Sequence, residues 1–490
     1  MLTEPDRLAE SVAADIREGG RFAGLVASAR DDGSTVLRAV MSHPGRLSMI
    51  ETILGPGTSR YRALTPLVSA AGWYEREIRD LFGLEPVGHP RLDPLVLPLR
   101  PGERRPRPGA SDGPADLAPD VTALPGHVSG EGVFTIPYGP VRSGVFESVE
   151  YLVETSGEEI PHLRTRVYHK HRGLERRFGE LTVDDAVLLA ERVEGTASVA
   201  HATAFCQAIE ALGDIAPPRS AQLVRVVHAE LERVAVHLDS VVRHTEGAGQ
   251  AVAYARMSLH KERVLRLRAR LCGGRFGRGV VVPGGVAGPI ALDLAEALAE
   301  VRKIDRAIAD DGRALMATPS FIDRLRGTGI LPTAVALEHG ALGPVGRGSG
   351  LVEDVRVDRP YGAYRTLGFE PAAGFGGCDA LARQLVRLEE MHQAFHLVRQ
   401  ALDELAEGAP GPWRHELSPP DGTVLGCVEA PQGELLYLVE AERGRLVRVK
   451  PRCASFHNLA LFEKAFRGDI FTDFVFIEAS FGLSIAGVSG

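Results

Sequence analysis

Glu194, Ala197, Ser198 and His201 recur at offsets of three, four and seven residues, a spacing that places them on one face of a helix. A carboxylate and an imidazole two turns apart would face one cleft, where such a pair can take up and return protons. The apolar pattern from Val183 predicts that helix, running to about Leu212. Thr182 with Asp185 three residues on reads as its N-cap. Gly195 inside such a helix costs about 1 kcal/mol against alanine, so a segment or ligand is expected to approach its backbone closely. The plainer reading of His201 is a buried, hydrogen-bonded core histidine. Glu194 is harder to dismiss, because carboxylates are almost never buried unpaired. Arg192 or Arg142 is the expected partner.

Other chemistry-bearing stretches point in weaker directions. Pro283-Gly284-Gly285-Val286 and Gly346-Arg347-Gly348-Ser349-Gly350 are glycine-rich but match neither phosphate-loop nor dinucleotide patterns, so turns between packed helices are expected. Arg347, Asp354, Arg356, Pro360, Tyr361 and Tyr364 form a polar and aromatic string that reads as a ligand-lining charged network or as a structural ion-pair cluster. Cys206, Cys272, Cys378, Cys427 and Cys453 are scattered with no Cys-x-x-Cys, which suggests buried thiols rather than disulfides, zinc or an iron–sulfur cluster.

The elements that must position these residues divide a chain of 490 residues, too long for one core. We expect an α+β fold: a small α+β N-terminal domain over 1–98, a Pro/Gly-rich linker over 99–127, and a mainly helical domain with small β elements over 128–490. Helices are expected at Leu8–Glu18, Leu67–Leu81, Ala221–Arg243 after a Ser220 cap, Ala255–Leu271, Leu292–Leu315 and Asp379–Ala406. Strands are expected near 22–26, 35–40 and 133–137, with a hairpin pairing 435–439 and 446–449. Arg104, Arg105 and Arg107 read as a solvated linker cluster. A net charge of −8 gives no support for nucleic acid as a partner. No run approaches the ~18 apolar residues of a membrane span, and the opening residues lack a secretory pattern.

Trp73-Tyr74-Glu75-Arg76-Glu77-Ile78-Arg79-Asp80-Leu81-Phe82-Gly83-Leu84, with Gly88-His89-Pro90, resembles the signature of the C-type subunit of bacterial NADH–quinone oxidoreductase (complex I). The remainder resembles the D-type subunit of complex I and the large subunits of formate hydrogenlyase and membrane-bound [NiFe] hydrogenases. His171-Arg172-Gly173-Leu174-Glu175, Glu230-Leu231-Glu232-Arg233, Glu429-Ala430-Pro431-Gln432-Gly433 and Ser455-Phe456-His457-Asn458-Leu459 carry that likeness in family order.

The resemblance implies an oxidoreductase subunit, peripheral on the cytoplasmic side of a membrane, packed against an iron–sulfur small subunit and membrane-arm subunits. Any NAD belongs to another chain. In hydrogenases two motifs bind nickel and iron; here Glu191–His201 and Ala479–Gly487 keep their frame. The four cysteine places fall to Glu194, Ala197, Ser484 and Gly487, which argues against Ni–Fe, because soft thiolates hold those metals. The family's arginine over the metal is Gln432. Where complex I offers two histidines and a tyrosine to quinone, the matching places are Arg142, Phe146 and Gly195. On this reading no cofactor is bound by the chain itself; Glu194 and His201 are the catalytic candidates, and Arg142, Phe146, Gly195, Gln432 and Ser484 line a quinone or acceptor cavity. The alternative is a non-catalytic scaffold with a degenerate site.

Overall fold

The computed structural model describes residues 1–99, 103, 105–110, 132–142, 147–408, 411–417, 421–466 and 468–490. Near the N-terminus an antiparallel sheet runs in the order Arg21–Ala29, Thr35–His43, Arg46–Leu54. The third strand was not expected; it follows the Pro44-Gly45 turn and lacks the strict alternation that marks a half-buried strand. The helices Leu8–Arg17 and Gly72–Phe82 pack on this sheet. Gly72–Phe82 ends at Gly83, whose φ of 73° is the left-handed cap that glycine adopts without strain.

Glu75 and Asp80 of that helix are buried because each holds a loop. Glu75 accepts from the amides of Leu64 at 2.8 Å and Thr65 at 3.0 Å. Asp80 accepts from the amides of Leu95, Val96 and Leu97 at 2.7, 2.9 and 3.2 Å. Glu77 meets Lys450 at 2.7 Å across to the C-terminal sheet. Part of the expected linker also lies against this region: Arg107 N–H donates to Leu81 O and Ala29 N–H to Pro108 O. Arg105 donates to Asp80 O, so it is not simply solvated. Arg104 and 111–126 lie outside the described residues.

Beyond a second antiparallel sheet of Phe134–Tyr138, Glu150–Thr155 and His162–Arg166, long helices dominate. Arg219–Gly247, Ala251–Cys272, Leu294–Met316 and Ala380–Glu407 pack side by side around a core that includes Leu231, Leu238, Ile304 and Phe395. Their apolar stripes made them legible in advance. Asp379 does cap the last of them, accepting from Ala382 N at 2.8 Å. Ser220 does not cap the first, which begins at Arg219 after Pro218 and continues to Gly247. The C-terminal hairpin gains a strand, giving Gly422–Ala430, Gly433–Glu442 and Arg445–Arg452 in sequence order. The glycine stretches are not simply turns between helices: Gly285 lies in the two-residue strand Gly285–Val286, and Gly346 and Gly348 in the short helix Gly343–Gly348. Close packing requires glycine there, as a Cβ on Gly285 would sit 2.1 Å from Trp413 O. Among the described residues, no helix is long and apolar enough to cross a membrane.

One expectation fails in an instructive way. The predicted helix over 183–212 is two helices, Val183–Ala190 and Ser198–Leu212, separated by turns through Glu191–Ala197. Thr182 caps the first as expected, accepting from Asp185 N at 3.2 Å. The second starts where Glu232, from the Arg219–Gly247 helix, accepts from Val199 N at 2.9 Å and Ala200 N at 3.0 Å. Those amides are the orphan donors of a helix N-terminus, and a carboxylate there is doubly favourable. Glu191 likewise turns aside to accept from Gly279 N at 2.5 Å. Partners remote in sequence therefore override local helical propensity.

Ion pairs tie the N-terminal sheet to the C-terminal one. Glu434 receives Arg21 at 2.7 Å together with Arg359 and Arg452. Burial works against its ionisation, but the three guanidiniums overcome it and hold the carboxyl well below the usual range. A depressed folded-state pKa gives stability that is present above the ordinary value near 4.5 and lost as pH falls. Unfolding free energy should therefore drop below pH ~4.5 by up to about 1.4 kcal/mol per pH unit from this group. Denaturant titrations across pH test this: Glu434→Gln should be less stable at neutral pH and show a shallower acid limb.

Candidate functional site

The two motif stretches meet. A Cβ on Gly487 would lie 3.0 Å from Glu194 Oε2, and Ser484 caps the short Ile485–Ser489 helix by accepting from Gly487 N at 3.4 Å. Arg172 binds the loops together: its guanidinium donates to Arg192 O at 2.9 Å, Val193 O at 2.7 Å and Ala486 O at 2.8 Å. The planar fork suits this multiple contact, which an ammonium cannot reproduce. Arg172→Lys should lower stability by about 1.5–3 kcal/mol and raise proteolytic nicking near Ala486, as limited proteolysis would show.

Glu194 sits in the turn before the second helix, not on a shared helix face with His201. It is 1 % exposed, yet no arginine among the described residues pairs with it. Arg192 turns to Glu191 at 3.6 Å, and Arg142 to Glu478 at 2.7 and 3.1 Å. Glu194 Oε1 instead accepts from the Gln432 amide at 2.5 Å and the Thr196 hydroxyl at 3.1 Å. Its Oε2 faces His201 Nε2 at 3.6 Å. His201 is fully buried, with Nδ1 2.8 Å from the Tyr437 hydroxyl and Nε2 without a hydrogen-bond partner. The plainer reading of this histidine holds: it is a buried core residue anchored to Tyr437, and its other ring nitrogen faces a carboxylate.

A cavity of about 320 Å³ opens beside this pair, walled by Arg142, Glu147, Thr196, His237, Gln432 and Ser484, among others. Gln432 and Thr196 thus stand between Glu194 and the cavity. Gln432 Oε1 is buried without a hydrogen-bond partner among the described residues. Arg142 lines the cavity but is committed to Glu478 and lies over the rings of Tyr138 and Tyr151 at 4.8 and 5.0 Å. Burial lowers its proton affinity, but the Glu478 contact outweighs that and raises the pKa further. Ser484 Oγ is engaged by Glu147 at 3.1 and 3.3 Å. Gly195 is exposed in its turn, and a Cβ there would meet only Arg278 at 3.7 Å, so the expected close approach is absent. Phe146 lies outside the described residues. A larger cavity of about 640 Å³, between Gln207, Arg225, Tyr361 and Cys427, lies elsewhere.

Several residues of this arrangement escaped the sequence reading. Glu147 and Tyr437 obey no spacing that would mark them, since each reaches its partner across the fold. Arg172 was legible only as part of a family-like stretch.

A nickel–iron centre does not fit these side chains. Of the four motif positions, Glu194 and Ser484 offer oxygen, while Ala197 and Gly487 offer no donor. Cys453 approaches the place a Gly487 Cβ would take, to within 2.9 Å of Sγ. Its sulfur, however, accepts from Phe456 N and caps the Ala454–Phe462 helix. Burial first, then Glu194, pushes that thiol up to about 12, so it is a neutral thiol at physiological pH in this setting. Among the described residues no cluster of three or more His, Cys, Asp or Glu side chains is arranged to hold a metal.

The string from Arg347 to Tyr364 resolves into a buried ion-pair network. Arg347 meets Glu390 at 2.7 Å and Glu429 at 3.1 Å, and Arg356 joins Asp354 at 2.7 Å to Glu230 at 3.0 Å. Tyr364 donates to Glu230 at 2.5 Å.

Comparison with known proteins identifies relatives along most of the chain. Residues 248–416 and 412–489 match the family described as the 49 kDa subunit of respiratory-chain NADH dehydrogenase, and residues 6–106 match its 30 kDa subunit. Formate hydrogenlyase subunit 5 of Escherichia coli is 28 % identical over 84 % of this chain and 74 % of its own length. Membrane-bound hydrogenase subunit alpha of Pyrococcus furiosus is 31 % identical over 70 % of this chain and 84 % of its own length. NADH-quinone oxidoreductase subunit 4 of Thermus thermophilus is 30 % identical over 71 % and 92 %. The chain therefore belongs to the NADH dehydrogenase 49 kDa family of oxidoreductase-complex subunits, with a 30 kDa-type segment fused ahead of it.

Proposed function

We propose that this chain forms the acceptor-side cavity of a membrane-associated oxidoreductase complex, with an iron–sulfur partner subunit supplying electrons. The complex would sit on the cytoplasmic side of the membrane against membrane-arm subunits. Segments 1–98, 99–127 and 128–490 would serve as docking domain, tether and acceptor-binding domain. The observation that carries this reading is Glu194: a buried carboxylate that pairs with no Arg or Lys among the described residues, held directly behind the cavity wall by Gln432 and Thr196 and backed by His201. An acceptor such as quinone gains two electrons and two protons on full reduction. Glu194 and His201 are placed to handle those protons, and Gln432, which lines the cavity, to orient the acceptor.

A second reading, a scaffold with a decayed site, is favoured by Arg142 and Ser484, whose polar groups are already taken by Glu478 and Glu147. Acceptor reduction by the purified complex separates the two. Loss of turnover in Glu194→Gln with assembly intact supports the acceptor site. Unchanged turnover in Glu194→Gln and His201→Ala hands the case to the scaffold.

A further inference from the structure

The cavity beside Glu194 carries more positive charge than its own carboxylates use. Arg142 is paired with Glu478, Arg268 with Glu232 at 3.3 Å, and Lys261 and Arg243 share Asp239 at 2.5 and 3.0 Å. Arg387 also lines the cavity and is 3 % exposed, yet no carboxylate among the described residues forms a salt bridge with it. Its guanidinium donates to the carbonyls of Arg383 at 3.1 Å and Phe481 at 3.0 Å. Glu390, the carboxylate that acts on it electrostatically, is spent on Arg347 and His237. Burial is the dominant influence on Arg387 and brings it down to about 10, so it remains cationic at neutral pH. A buried cation without a counter-charge is costly, and the cost falls when an anion enters.

Other residues lining the cavity also carry unsatisfied polar atoms, though these are sealed from it. Arg268 Nε and Arg142 Nε are buried donors without a hydrogen-bond partner among the described residues. His237 places Nε2 2.7 Å from Glu390 and leaves Nδ1 buried and unpartnered. With burial holding this imidazole down to about 4, it is neutral near pH 7; Nε2–H donates to Glu390 and Nδ1 is an acceptor. Gly482 explains why Arg387 stands alone. Its φ is +61°, and a Cβ there would lie 2.9 Å from Arg387 Nη2, so a side chain at 482 would be the natural neighbour of the guanidinium.

We propose that this cavity takes an anionic ligand, with Arg387 as its counter-charge. The anion is a small carboxylate or the charged oxygen of a half-protonated reduced acceptor. The assignment deepens the acceptor-cavity reading and rests on it, but its readout is binding rather than turnover, so the two fail separately.

The test uses the full chain in its purified complex and calorimetric titration with 4-hydroxybenzoate, against the neutral 4-hydroxybenzamide. The anion should bind at least tenfold more tightly than the amide. Gly482→Asp places a carboxylate against Arg387, in a left-handed conformation that aspartate tolerates, and should weaken the anion at least tenfold. Arg387→Met removes the charge without adding a side chain at 482 and should show the same loss. Equal binding of anion and amide, or wild-type affinity in both charge variants, overturns the proposal. Competition between 4-hydroxybenzoate and the acceptor during turnover identifies the acceptor's own oxygen as the natural anion. Binding without competition identifies a separate carboxylate.

Discussion

Arg356→Met should destabilise the folded chain by about 3–5 kcal/mol, the largest single-site loss expected here. Arg356 is fully buried; its Nε and Nη2 hold Asp354 at 3.0 and 2.7 Å, and Nη1 holds Glu230 at 3.0 and 3.1 Å. Removing the guanidinium leaves two carboxylates in the interior with fewer positive charges to offset them. Arg233 still reaches Glu230 at 2.9 Å and Arg347 reaches Asp354 at 3.4 Å, so the network weakens rather than vanishing. The packing of Arg356 over Phe369, 4.5 Å from the ring centroid, is partly kept by methionine, so the loss reads mainly as charge. Denaturant unfolding measures it. Arg266→Met, on an exposed pair with Glu262, is the control and should leave the midpoint unchanged. Equal midpoints for Arg356→Met and wild type would mean the network is not a stabilising device.

Glu194→Gln should lower acceptor reduction by about 10²–10⁴-fold, the usual contribution of a positioned acid or base. Glutamine keeps the size of the side chain and an oxygen to accept from Gln432 and Thr196, so the cavity wall is retained while the titrating group is lost. His201→Ala should lower turnover as well, but it also leaves the Tyr437 hydroxyl without its 2.8 Å partner and so carries a stability cost. Tyr437→Phe separates those effects, because it removes only the contact that anchors the ring. A fall in turnover in Tyr437→Phe much smaller than in His201→Ala would place the function in the imidazole rather than in its support. The measurement is steady-state reduction by complexes shown to be fully assembled. Full activity in Glu194→Gln would remove the acid–base role.

The sequence by itself determined the mixed α+β class, the long amphipathic helices and the family. Each rests on a short-range pattern: apolar residues every three or four positions around Leu381–Leu405, or an unbroken string such as Trp73–Leu84. It also determined that the thiolates nickel–iron chemistry needs are missing from the motif, because ligand types are read directly from residue names at Glu194, Ala197, Ser484 and Gly487. Only the tertiary structure decided how those positions are arranged. The helix that should have carried Glu194 and His201 together breaks, because Glu232 and Gly279, remote in the chain, offer its backbone and Glu191 better partners than the helix does. The expected arginines for Glu194 went to Glu191 and Glu478, and an amide from Gln432 arrived instead. Periodicity reports what a residue's near neighbours favour. Which distant group wins a buried carboxylate is a competition among hydrogen bonds and charges that exists only once the chain has folded.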